Sequence, residues 1–123
     1  PLEVNIVIEL VVGPEVITGS TRMKSATAQK MTLNMISTAA MVLLGKTYGN
    51  LMVDLQARSE KLAARSRKIL VDLFSISIEQ ADILLEQSGG SVKVAIVMQK
   101  HSCDANAARE MLETADGFIS KIR

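Results

Sequence analysis

The chain has 123 residues, 48% of them apolar, and 14 cationic against 13 acidic side chains give a formal net charge of +1. That is enough apolar material for the core of one domain or a little more, while the near balance of charge leaves no electrostatic footprint for nucleic acid or an anionic membrane. Aromatic residues are confined to Tyr48, Phe74 and Phe118, too few for a base-stacking surface, and with Cys103 and His101 the only residues of their kinds the chain cannot build a disulfide framework or a multi-histidine metal centre within itself.

The opening Pro1-Leu2-Glu3 carries no charged region followed by a long apolar run, so no leader is read there, and no apolar stretch reaches membrane-spanning length. With no initiator methionine, it reads as a start inside a longer protein. Asn5 to Val12 (Asn-Ile-Val-Ile-Glu-Leu-Val-Val) is short and β-branched, which predicts a largely buried strand, closed by Gly13-Pro14. A lone strand needs neighbours for its backbone groups, and no second or third strand is evident downstream, so further sequence is expected to supply them.

Next comes Thr18-Gly19-Ser20-Thr21-Arg22-Met23-Lys24-Ser25-Ala26-Thr27, where small hydroxyl residues, a glycine and two cations gather at a strand-to-helix junction. Unpaired N–H groups and partial positive charge at a helix start suit a phosphate. Arg22 and Lys24 oppose the helix dipole, which either signals an anionic partner or marks a hydroxyl-capped helix with two solvated cations. The residues alone leave both readings open.

One long helix is expected from about Ser20 to Leu44, with Met31, Met35, Thr38 and Val42 on one side and Leu33, Ile36, Ala40 and Leu43 on another. Apolar residues on several sides imply burial on several sides, and the methionines read as packing in a core or subunit interface. Gly45 is the expected C-cap. Thr47 to Gln56 reads as a turn followed by an extended or irregular segment. A second helix follows from Ser59 to about Leu73, and its basic residues Arg58, Lys61, Arg65, Arg67 and Lys68, diluted by Glu60 and Asp72, read as a solvated face.

Ser77-Ile78-Glu79-Gln80 is a capping-box pattern opening a helix to about Gln87. Ser88-Gly89-Gly90-Ser91 breaks it, and Ser91 caps a helix through about Lys100. Lys100-His101-Ser102-Cys103 reads as an interhelical turn in which both His101 and Cys103 are structural. Asp104 caps a last helix to about Asp116, stopped by Gly117. Leu84, Leu85, Val94, Ile96, Val97, Met111 and Leu112 supply a small core, so the tail from about Ser75 is a three-helix bundle small enough to lean on docking for stability.

The blocks Val11-Val12-Gly13-Pro14-Glu15-Val16-Ile17 through Thr18-Gly19-Ser20-Thr21-Arg22-Met23-Lys24-Ser25-Ala26-Thr27-Ala28-Gln29-Lys30, then Leu33 to Thr38, Lys46 to Leu55 and Leu84 to Val97, resemble the bacterial N-acetylmuramic acid 6-phosphate etherases over essentially the whole chain. A related form of the first block occurs in the glucokinase regulatory protein. The resemblance implies an α/β parent, a sugar isomerase domain with a mostly parallel sheet, of which this chain is the C-terminal portion. Residues 1–56 would be the end of that domain (strand, loop, long helix), 57–74 a linking helix and 75–123 a bundle resembling ubiquitin-associated domains, so that this portion is mainly α with one N-terminal strand. Ubiquitin binding does not follow from that shape.

The activity implied is cleavage of the lactyl ether of N-acetylmuramic acid 6-phosphate to N-acetylglucosamine 6-phosphate and D-lactate, by acid–base elimination and addition of water, in a bacterial cytoplasm. No metal or organic cofactor is implied, and a homodimer is. The family's two catalytic glutamates lie upstream of the matched region, so Glu3, Glu9 and Glu15 are assigned no catalytic role. Thr18, Ser20, Thr21, Arg22, Lys24 and Thr27 are the expected wall of the sugar-phosphate site, with Gln29 and Lys30 next and Asn50 and Asp54 after them. Ala26 stands where many relatives carry glycine, a change that suits a helix interior. A non-catalytic sugar-phosphate sensor, or an interaction module using the apolar helix, are the competing readings; the first would lack the catalytic pair.

Overall fold

The computed structural model describes residues 3–56 and 59–123. Pro1 and Leu2 of the opening, the expected boundary between 56 and 57, and Arg58 of the basic group lie outside the described residues. The chain divides into two compact units, one through Ala40 and one from Met41 to Arg123, and the described residues are mainly helical.

In the first unit, residues 5–12 carry no regular structure, which corrects the expected N-terminal strand. The β-branched run is there, but a strand exists only when a neighbour takes its N–H and C=O groups, and among the described residues nothing pairs with it. Its side chains stay open, Val11 at 90% and Ile6 at 79% exposure. Helix α1 spans Lys24–Leu43, starting four residues later than expected. Thr21 to Met23 form a turn instead, and the Ala26 N–H reaches back to the Thr21 carbonyl at 3.1 Å. No residue of α1 is buried.

The last turn of α1 belongs to the second unit, and its end is a paired C-terminal cap. The Gly45 N–H bonds the Val42 carbonyl and the Lys46 N–H the Met41 carbonyl, both at 3.0 Å, with Gly45 left-handed at φ +65°. This satisfies two carbonyls that a helix end leaves orphaned. Glycine is required twice over, because a Cβ at 45 would stand 3.1 Å from the Gly117 carbonyl oxygen and the Phe118 ring.

Where a turn and an extended or irregular segment were expected there is a small hairpin, β1 (Thr47–Tyr48) antiparallel to β2 (Leu51–Met52), with Thr47 opposite Met52 and Tyr48 opposite Leu51. The Lys46–Asp54 ion pair, 2.9 Å, flanks it. The chain then passes the start of a later helix, where the Val92 N–H meets the Leu55 carbonyl at 3.4 Å.

Helices α2 (Glu60–Phe74), α3 (Ile78–Gln87), α4 (Val92–His101) and α5 (Ala105–Thr114) follow. Their starts are set by local capping chemistry, expected at Ser77, Ser91 and Asp104 and present at Ser59 as well. Ser59 accepts from the Leu62 N–H, Ser91 from the Val94 N–H and Asp104 from the Asn106 and Ala107 N–H groups, while Ser77 and Gln80 form the reciprocal capping box. Each such cap satisfies donors that the first helical turn leaves free. Helix α5 stops at Thr114 rather than Asp116, and its left-handed turn begins at Asp116 (φ 52°), one residue before the glycine expected to end it. A short 3-10 helix, Ile119–Lys121, completes the unit.

Helix α4 is the centre of the core: Val92 and the run Val94 to Met98 are all buried. Of the core expected for the tail, Leu85, Val94, Ile96, Val97 and Leu112 are buried and Leu84 and Met111 half-buried. The same core takes Ile69 and Leu70 from α2, Val53 from the segment after the hairpin, and Ile119. Full burial of such a side chain is worth about 1.5–3 kcal/mol, so these additions matter to a bundle of this size. Arg67 of α2 also pairs with Asp82 of α3, and Arg109 of α5 donates to the Ser88 carbonyl at 3.2 Å, fastening the break between α3 and α4.

Candidate functional site

The hydroxyl-rich bend before α1 is a closed loop. Its neck is Glu15, whose carboxylate accepts from the first two N–H groups of α1: Lys24 N–H to Oε2 at 2.9 Å and Ser25 N–H to Oε1 at 3.0 Å. The Lys24 ammonium closes the same neck a second time by donating to the Pro14 carbonyl at 2.9 Å. Inside the loop the Ser20 N–H bonds the Ile17 carbonyl at 3.1 Å, and Gly19 is left-handed at φ +85°, a conformation glycine adopts without steric cost.

A carboxylate on a helix start is the arrangement that the macrodipole and the orphan N–H groups favour. The Ser25 N–H first, and the Lys24 N–H next, hold the Glu15 carboxyl below its ordinary pKa, as hydrogen bonds to the ionised form do. The anion-seeking character read from the sequence is therefore present at this helix start, and a side chain of the protein itself occupies it.

The structure gathers the expected binding residues only in part. Thr18, Thr21 and Arg22 are exposed on the loop, Ser20 is half-buried in it, and Thr27 is exposed one turn into α1. Lys24 and Thr27 share a shallow surface depression with Val12, Met23, Ala28 and Met31. Arg22 makes no ion pair among the described residues. Gln29 and Lys30 lie exposed further along α1, away from the loop in sequence. Asp54 is engaged with Lys46, and Asn50 sits exposed in the hairpin turn. Among the described residues no group of three or more His, Cys, Asp or Glu side chains could hold a metal ion, and no helix is long and apolar enough to cross a membrane.

Comparison with known proteins sets this loop in context. The chain is 53% identical over 114 residues to the N-acetylmuramic acid 6-phosphate etherase of Geobacillus thermodenitrificans (strain NG80-2), 51% over 117 residues to that of Rhodopirellula baltica and 55% over 114 residues to that of Bacillus subtilis (strain 168). Those matches take in 93–95% of the chain. The chain is homologous to the N-acetylmuramic acid 6-phosphate etherases. It spans about two fifths of their length, 38–39% of these three relatives. No family model matches it.

Within this etherase-like stretch, Glu15 is the residue that sequence reading missed. A capping carboxylate is looked for three residues into a helix or at its N-cap, whereas Glu15 lies nine and ten residues before the groups it caps. The available signal was the cationic first turn itself. A helix whose start is flanked by Arg22 and Lys24 and has no acidic residue in its first turn favours a negative charge from elsewhere in the chain or from a ligand.

Proposed function

We propose that the chain is part of a carbon–oxygen lyase that cleaves the D-lactyl ether of N-acetylmuramic acid 6-phosphate, giving N-acetylglucosamine 6-phosphate and D-lactate. The observation that carries this reading is the 51–55% identity, along nearly the whole chain, to proteins named for that etherase activity. The chemistry requires one carboxylate to take a proton beside the carbonyl-equivalent carbon and a second carboxyl group to protonate the departing lactate oxygen, with water adding afterwards. Two carboxyl groups in different protonation states must therefore face one substrate. In this reading those groups come from the part of the etherase that the chain does not span, and the chain alone turns nothing over.

What the chain contributes is the phosphate-facing wall. Thr18, Ser20 and Thr21 offer hydroxyls and backbone N–H groups to sugar and phosphate oxygens, Arg22 and Lys24 offer charge-assisted bonds, and Thr27 borders the depression beside them. The wider reading places the loop and α1 at the end of a sugar isomerase domain with a mostly parallel sheet, α3 to α5 in a bundle resembling ubiquitin-associated domains, and the whole as a cytoplasmic homodimer. The regulatory alternative has no observation in its favour, since the relatives bear the name of an enzyme.

The test is D-lactate release by the intact protein. The unaltered protein should release it from N-acetylmuramic acid 6-phosphate, and Arg22→Ala should raise KM about ten-fold, the loss of a charge-assisted hydrogen bond. Unchanged substrate affinity would take Arg22 out of the site, and no lactate from the unaltered protein would end the etherase reading.

A further inference from the structure

The two bonds from α1 to Glu15 do more than cap a helix. They join residue 15 to residues 24 and 25, and every candidate ligand from Thr18 to Lys24 lies on the loop they close. Resting on the etherase reading above, we propose that Glu15 is a positioning residue for the sugar phosphate: its carboxylate fixes the neck of the loop and so sets where Ser20, Thr21 and Arg22 meet the phosphate, without touching the substrate itself.

Three observations support this. First, the carboxylate uses both oxygens on successive N–H groups, at 2.9 and 3.0 Å, a two-point grip that fixes orientation as well as distance. Second, the neck is tied again by the Lys24 ammonium, which donates to the Pro14 carbonyl at 2.9 Å. Third, a turn inside the neck brings the Ser20 N–H onto the Ile17 carbonyl at 3.1 Å, so the ties at the neck and within the loop order the same short backbone, and small misplacement of binding groups is costly to catalysis.

The arrangement also constrains the phosphate. The N–H groups of Lys24 and Ser25, which a phosphate at a helix start would normally take, are already engaged by Glu15. The incoming anion is left to the loop's hydroxyls and remaining N–H groups, to the Arg22 guanidinium and to the donors that the Lys24 ammonium keeps beyond its bond to Pro14. Glu15 thus turns a general anion-binding helix start into a side-chain-lined site with a defined approach.

The experiment compares the intact protein with its Glu15→Gln and Glu15→Asp variants, using N-acetylmuramic acid 6-phosphate as substrate and recording thermal stability alongside. Gln keeps the shape of the side chain but removes the charge and turns one acceptor into a donor facing an N–H. Asp keeps the charge with a shorter reach. Glu15→Gln should raise KM on the order of ten-fold with kcat nearly unchanged, the mark of lost ground-state and transition-state binding together, and Glu15→Asp should recover part of that loss. An unchanged KM with a lowered melting temperature would reduce Glu15 to a helix cap and overturn the inference. A lowered KM would also overturn it, by showing that phosphate prefers the vacated N–H groups. If the unaltered protein releases no D-lactate, the etherase reading and this inference fall together; if it turns over normally while Glu15→Gln keeps its KM, this inference falls alone.

Discussion

Helices α1 and α4 are both rich in apolar residues, yet α1 has 20 residues with none buried and α4 has 10 with six buried. The contrast separates two things that an apolar pattern conflates. The pattern states what a helix needs covered; only packing partners decide whether it is covered. Helix α4 has α3, α5 and α2 against it, so its Val, Ile and Met side chains become stability. Helix α1 carries Met31, Leu33, Met35 and Ile36 at exposures of 51–61%, and their burial energy is unspent in this chain.

Substitutions sharpen the contrast. Leu70, fully buried between α2 and its neighbours, should lose about 2–5 kcal/mol on replacement by Ala, through lost burial and a residual cavity. Leu33→Ala, at 59% exposure, should stay within about 0.5 kcal/mol in the same chain. Chemical denaturation of both variants checks the pair, and equal losses would erase the distinction between the two helices. Gly45→Ala comes next, at about 1–3 kcal/mol, since φ +65° is strained for alanine and the new methyl meets the Gly117 carbonyl and Phe118 ring. A stabilised or unaffected variant would mean that the cap tolerates a side chain.

The smallest effect belongs to Glu15 and acid. Its folded-state pKa is lowered by the Ser25 and Lys24 N–H groups. Its contribution is therefore complete above the ordinary carboxylate range and is lost as pH falls through the depressed value. The amide proton shifts of Lys24 and Ser25, followed by NMR, should titrate together with a midpoint below the usual glutamate range. A midpoint at or above that range would show that the bonds do not persist in solution.

What could be read from the residues follows from how local each device is. The caps at Ser77, Ser91 and Asp104 act within three residues, and all were visible in advance. So was the Gly45 stop, whose cap closes over five. Asp116 escaped notice because the following glycine looked like the natural left-handed residue, although Asp is among the side chains that enter that region. Glu15 escaped because its reach spans a loop. The expected strand at residues 5–12 failed for a different reason: its composition is right, but pairing belongs to two segments and only one is here. For the site, Lys24 and Thr27 border one surface depression, whereas the neck that orders the loop could be found only in three dimensions.

The crowding around Gly45 has a consequence for the other end of the sequence. The Gly117 carbonyl and the Phe118 ring fill the space into which a side chain at 45 would project, so the closing residues wall the turn that leads into the hairpin. Trimming the chain before Gly117 removes more than a tail: it opens the far side of a turn some seventy residues earlier in the same compact unit.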